Sequence, residues 1–214
     1  MNSEEKEIGY QTTNSYSTLN TLTEDTKNVW FVCHGMGYLS RYFLKYFKGL
    51  NPEENYIIAP QAPSKYYIQP KMHVGANWLT RDETKVGMQN ILNYFDAIFE
   101  TEAIPEDKNL IILGYSQGVS VAMRYMVFRK LQCSQLILHS GGIPKEIIAT
   151  DFEYLNSSTS VKLIYGTSDE YLNEERIKSE SDRAIELFGS KVQFLPFDGT
   201  HVCLLYTSPS PRDA

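Results

Sequence analysis

Residues 110–118 read Leu-Ile-Ile-Leu-Gly-Tyr-Ser-Gln-Gly, and no other stretch of the 214-residue chain restricts its fold as tightly. Four consecutive apolar residues describe a strand buried on both faces, as happens when helices cover both sides of a parallel sheet. Gly114 and Gly118 flank Ser116 in the spacing G-x-S-x-G. A helical pattern opens directly behind, with Val119, Met123, Met126 and Val127 recurring three or four residues apart. Strand, sharp turn and helix in that order make a weak five-residue motif specific. Such a turn lifts the serine hydroxyl off the sheet, and small neighbours let strand and helix pass close together. The competing reading of the same residues is a plain structural turn.

The rest of the chain repeats the alternation. Mostly near-continuous apolar runs at residues 29–33, 56–59, 136–138, 161–165 and 192–195 predict further buried strands, and weak alternation at 15–22 predicts an edge strand. Helical periodicity falls between them, at 38–47, 86–99, 119–131 and 177–188. The second of these gathers Val86, Ile91, Leu92, Phe95, Ile98 and Phe99 near one face, and Gly189 stands where a C-cap belongs after the last. No repeat unit is present, which excludes a solenoid or propeller. The expectation is an α/β fold: a three-layer sandwich with a mostly parallel central sheet. It would form one domain over residues 15–203, behind a flexible segment 1–14.

A serine hydroxyl is a poor nucleophile unless a base, itself held in one tautomer, takes its proton. Of the four histidines, His201 follows the last apolar run in a polar loop, Phe197-Asp198-Gly199-Thr200-His201. Loops at strand ends carry catalytic groups in open α/β sheets. His34 lies in a glycine loop and reads as a brace. His139 ends a strand and reads as packing beneath the site, and His73 sits in a loop without an assignable role. The acid belongs at a strand end between serine and histidine, where residues 161–166 run into Thr167-Ser168-Asp169-Glu170. Asp169 fits that place; Glu170, Asp182 and Asp198 are its rivals. The order Ser116, Asp169, His201 is that of the α/β-hydrolases. An oxyanion hole needs two converging donors. The amide of Gln117, at the helix start, is one candidate. The amide of Met36, in His34-Gly35-Met36-Gly37, is the other.

These segments, with Ala59-Pro60-Gln61-Ala62-Pro63, Gly166-Thr167-Ser168-Asp169 and Gly199-Thr200-His201, carry a resemblance to the small carboxylesterase and phospholipase family that includes the acyl-protein thioesterases. It runs from about Val29 to about His201. The resemblance implies cofactor-free hydrolysis of carboxylic esters or thioesters by Ser116, Asp169 and His201. Two departures mark a divergent member. Gly118 is followed by Val119 where a fuller glycine cluster is usual, and the tryptophan loop reads Asn77-Trp78-Leu79-Thr80-Arg81-Asp82. An acyl-protein substrate is therefore not implied.

Tyr38, Tyr66, Tyr67, Trp78, Tyr171 and Leu172 lie in segments expected to converge above the sheet edge. Of these, Tyr38, Trp78, Tyr171 and Leu172 are the candidate substrate-binding residues, Trp78 foremost, against the plainer reading that each merely packs a loop down. The expected partner is a small-molecule ester with a small or medium acyl chain. A thioester or lysophospholipid served by the same triad is the near alternative, and a non-catalytic small-ligand-binding protein the distant one. No motif suggests a metal or a phosphate-bearing cofactor. A formal charge of −6 disfavours nucleic acid, and Arg124, Arg129 and Lys130 read as the solvated side of a helix. The polar start, the absence of a membrane-spanning run and the three scattered cysteines suggest a soluble cytoplasmic protein. Residues from about Leu204, rich in Ser and Pro, resemble a translated adaptor fused to a truncated gene. The tail 204–214 is therefore expected to be disordered or foreign to the native fold.

Overall fold

The computed structural model describes residues 3–203; the tail 204–214, with the expectation attached to it, lies outside the described residues. Residues 3–15 carry no regular structure and are exposed almost throughout. The first anchor is the Asn14 side-chain amide, which donates to the Gln61 carbonyl at 2.7 Å. Seven strands then form one sheet. They are β1 (Tyr16–Leu19), β2 (Asn28–Cys33), β3 (Asn55–Pro60), β6 (Asn109–Tyr115), β7 (Gln135–His139), β8 (Ser160–Gly166) and β9 (Val192–Phe197). Across the sheet the order is β1-β3-β2-β6-β7-β8-β9. β1 is antiparallel to β3 and every other pairing is parallel. The chain steps from β2 to β3 on one side and later to β6 on the other. The crevice between β2 and β6 is thus the topological switch point, where open α/β sheets bind ligands.

Helices α2 (Thr84–Glu102), α3 (Gln117–Arg129) and α4 (Glu174–Phe188) share one core with the sheet, built on Phe31, Ile58, Ile112, Leu138 and Leu163. In α2 the buried positions are Met88, Ile91, Leu92, Phe95 and Ile98, the spacing of a single helical face. On the opposite side, α1 (Ser40–Phe43) and the 3₁₀ turn Leu44–Phe47 press Phe43, Leu44 and Phe47 onto Trp30, Val32, Ile57 and Leu113. This is an α/β-hydrolase sandwich with a mostly parallel central sheet. Cys33, Cys133 and Cys203 are buried free thiols. Among the described residues no helix is long and apolar enough to cross a membrane.

Three features depart from the sequence reading. β9 was expected to be buried but is exposed from Gln193 to Pro196, because it is the edge strand of the sheet. α3 begins at Gln117, not at Val119, because its first turn grows directly out of the sharp turn at Ser116, the nucleophile-elbow position of the motif. A two-stranded antiparallel ribbon, β4 (Ser64–Ile68) with β5 (His73–Asn77), stands apart from the main sheet and was not expected. Its first strand is exposed at every position, so no burial pattern marks it in the sequence.

Candidate active site

β6 delivers Ser116 to a backbone conformation that residues other than glycine rarely adopt, φ 53° and ψ −121°. Such a conformation costs roughly 1–3 kcal/mol and persists only where the surroundings enforce it. Here the Ser116 amide donates to the His139 carbonyl at 2.8 Å, and its own carbonyl accepts from Val119 N at 3.1 Å to start α3. The flanking glycines are sterically required. A Cβ at Gly118 would lie 2.0 Å from the Cys33 carbonyl oxygen, and one at Gly114 2.4 Å from the Val119 Cα.

The loops after β8 and β9 are stitched together by Thr167 N to Phe197 O and Ser168 N to Gly199 O, each 2.9 Å. That stitching brings Asp169 beside His201. His201 Nδ1 lies 2.7 Å from Asp169 Oδ2, and Nε2 lies 3.0 Å from Ser116 Oγ. The second carboxylate oxygen of Asp169 accepts from the amides of Tyr171 at 2.8 Å and Leu172 at 3.2 Å. A carboxylate can only accept, so His201 carries its proton on Nδ1 and turns the Nε2 lone pair to the serine. Asp169 is buried. Of its rivals, Asp182 pairs instead with Lys178 at 2.8 Å.

Gln117 has two separate parts. Its side chain is fully engaged: Oε1 accepts from Trp78 N at 2.9 Å, and Nε2 donates to Asn77 Oδ1 and to the Leu79 carbonyl. Its backbone amide, like that of Met36, has no acceptor among the described residues. The Met36 loop is braced from below by His34. The ring Nδ1 donates to the Gly35 carbonyl at 2.8 Å and Nε2 accepts from the Ala62 amide at 3.1 Å. Burial pushes His34 down to about 4, so it is neutral at physiological pH. His139 is buried against Tyr115, beneath the elbow.

A cleft of about 470 Å³ opens over Ser116 and His201, with Met36, Gln117, Tyr171 and Leu172 on its walls. Tyr38 and Trp78 are not among its lining residues. The Trp78 indole is buried and donates to the His34 carbonyl at 2.7 Å. It therefore supports the glycine loop from inside the core. Tyr38 shares a hydrogen bond with Tyr46 at 3.0 Å and packs against Phe43, and this desolvation pushes its hydroxyl up to about 12. Tyr66 and Tyr67 lie on the exposed ribbon. Tyr171 stays on the cleft wall, whereas the Trp78 ring finds more apolar area in the core than a water-filled cleft offers. Conversely, Ser120, Ser140, Gly141, Gly142 and Arg176 line the cleft without having been singled out. No motif marks them. Among the described residues no cluster of three His, Cys, Asp or Glu side chains could hold a metal.

The family model described as phospholipase/carboxylesterase matches residues 16–203. Among solved structures, the Zea mays acyl-protein thioesterase 2 superposes with a TM-score of 0.67 at 18% identity, covering 94% of this chain and 95% of that one. A phospholipase/carboxylesterase from Dyadobacter fermentans gives 0.61 at 18% identity, covering 90% and 91%. The Bacillus cereus carboxylesterase gives 0.63 at 14% identity, covering 90% and 88%. No curated protein matches the chain.

Proposed function

The chain belongs to the phospholipase/carboxylesterase family of α/β-hydrolases, and from that premise we propose that it is a serine esterase cleaving carboxylic esters of small or medium acyl chains. The observation that carries the proposal is the unbroken line from Asp169 Oδ2 through His201 to Ser116 Oγ, with links of 2.7 and 3.0 Å.

Ser116 Oγ attacks the ester carbonyl while its proton passes to His201 Nε2. Asp169 keeps the imidazole in the Nδ1–H tautomer and stabilises the imidazolium that forms. The carbonyl oxygen becomes an oxyanion, for which the amides of Gln117 and Met36 and the N-terminus of α3 are the donors. Collapse breaks the bond to the alcohol, which leaves with the proton from Nε2. Water then attacks the acyl-enzyme, giving a proton to Nε2. The second collapse releases the carboxylic acid and returns that proton to Ser116. A thioester would follow the same path with a thiol as leaving group, which is why the bond cleaved is decided by cleft shape and not by the triad.

The test is covalent labelling with a fluorophosphonate and mapping of the modified peptide. The expected adduct is on Ser116. A folded sample that stays unlabelled, or one labelled elsewhere, overturns the reading. A chain-length series of nitrophenyl esters and matched thioesters then sizes the cleft and ranks the two bond types.

A further inference from the structure

Arg176 stands on the wall of the cleft that holds Ser116, and no carboxylate lines that cleft among the described residues. We propose that Arg176 binds a carboxylate carried by the substrate away from the scissile bond, so that the preferred esters are anionic. This rests on the esterase reading above.

Several features prepare the arginine for that task. It belongs to the first turn of α4, where Asn173 Oδ1 accepts from its backbone amide at 2.9 Å and fixes the root of the side chain. The guanidinium lies over Gly142. A Cβ there would come within 3.0 Å of Arg176 Nη2 and 3.3 Å of a Glu180 oxygen, so glycine leaves the space the fork occupies. Glu180 is partly buried, and one of its oxygens accepts from the Ile143 amide at 2.8 Å. Its other oxygen makes an i,i+4 ion pair with Arg176, with Nε···O at 3.6 Å, longer than a hydrogen bond. The side chain remains half exposed, at 52%.

Arg176 and Ser116 line the same cleft, with small residues between them. Gly142 adjoins Gly141, where a Cβ would lie 2.3 Å from the Ser116 carbonyl. Ser120 and Ser140 complete that wall. A substrate held at Ser116 can therefore extend along a polar floor to a planar fork of donors, the geometry that matches a carboxylate in two parallel hydrogen bonds. A wholly apolar chain in the same place would cover the guanidinium and give it nothing in return.

The experiment compares kcat/KM for charged and neutral esters in two arms. The acyl-side arm sets mono-4-nitrophenyl adipate against 4-nitrophenyl hexanoate. The alcohol-side arm sets 4-(carboxymethyl)phenyl hexanoate against 4-methylphenyl hexanoate. In one arm, Arg176→Met should lower the charged-to-neutral ratio about tenfold to hundredfold, chiefly through KM. Arg176→Lys should recover part of that loss. A ratio unmoved in both arms overturns the inference while hydrolysis of the neutral esters leaves the esterase reading standing. A binding measurement separates the two further. Calorimetric titration of Ser116→Ala with monomethyl adipate and with the carboxymethylphenyl ester reads the carboxylate site without turnover. Weakened binding of one of them on adding Arg176→Met supports the site, and equal binding of both counts against it.

Discussion

The Tyr115 hydroxyl donates to the backbone carbonyl of His201 at 3.0 Å. The residue immediately before Ser116 thus holds the loop that carries His201. The two rings are tilted against each other with centroids 5.3 Å apart, and burial raises the Tyr115 hydroxyl well above the ordinary phenol range, keeping it a neutral donor. Tyr115→Phe keeps the ring and removes the tether. The expected result is a fall in kcat of about threefold to tenfold, the worth of one neutral hydrogen bond, with KM little changed. Steady-state kinetics on a nitrophenyl ester decides it; an unchanged kcat would mean that the loop is held without this bond.

Loss of the triad members should follow their separate tasks. Ser116→Ala should lower turnover by roughly 10^4 to 10^6, leaving what binding and the oxyanion donors supply. Asp169→Asn should cost roughly 10^4, because an amide can donate to Nδ1 and favour the wrong tautomer of His201. If Asp169→Asn kept near wild-type rates while Glu170→Gln or Asp198→Asn was inactive, the acid would have to be reassigned.

Trp78 separates support from recognition. Its indole satisfies the His34 carbonyl inside the core, so Trp78→Phe should lower stability by about 1–3 kcal/mol, the cost of leaving that carbonyl unpaired. The preference among acyl chain lengths should stay as it is in the unaltered protein. A shifted chain-length profile with an unchanged melting temperature would return Trp78 to the cleft.

His34 makes stability depend on acid. Burial lowers it from an ordinary 6.5 to about 4, so the unfolded chain takes up this proton at a higher pH than the folded one. The stabilisation is complete above about pH 6.5 and is lost as the pH falls toward about 4, roughly 3 kcal/mol in all. Below that, a protonated Nε2 would face the Ala62 amide, donor against donor. Denaturant titrations across this range should show a flatter dependence in His34→Asn than in the unaltered protein. Equal slopes would assign the acid sensitivity elsewhere.

Local sequence determined the elbow, the strand–helix alternation and the chain order of serine, acid and histidine. Each is written in a few contiguous residues: Gly114 and Gly118 must be small where strand and helix touch, and the runs at 110–113 and 161–165 are mostly apolar and mostly buried. Ser116, Asp169 and His201, the proposed triad, could be picked from the sequence because each follows a recognisable strand within four residues, and tertiary structure then set their distances by stitching the β8 and β9 loops together. The cleft walls were legible in part: Met36, Gln117, Tyr171 and Leu172 stand on them, whereas Ser120, Ser140, Gly141, Gly142 and Arg176 carry no sequence mark. Trp78 and Tyr38 are aromatic and near the site in sequence, yet the Trp78 ring is buried in the core and Tyr38 is half-buried against Phe43 and Tyr46. Arg176 sits in an exposed helical turn among acidic residues and looks like any solvated charge; its approach to Gly142 depends on how α4 packs. The ribbon at 64–77 escaped notice because its first strand, exposed throughout, leaves no hydrophobic pattern. Local chemistry is written along the chain, whereas the direction of a side chain at a cleft is settled by contacts between segments far apart in sequence, and only the folded arrangement supplies those.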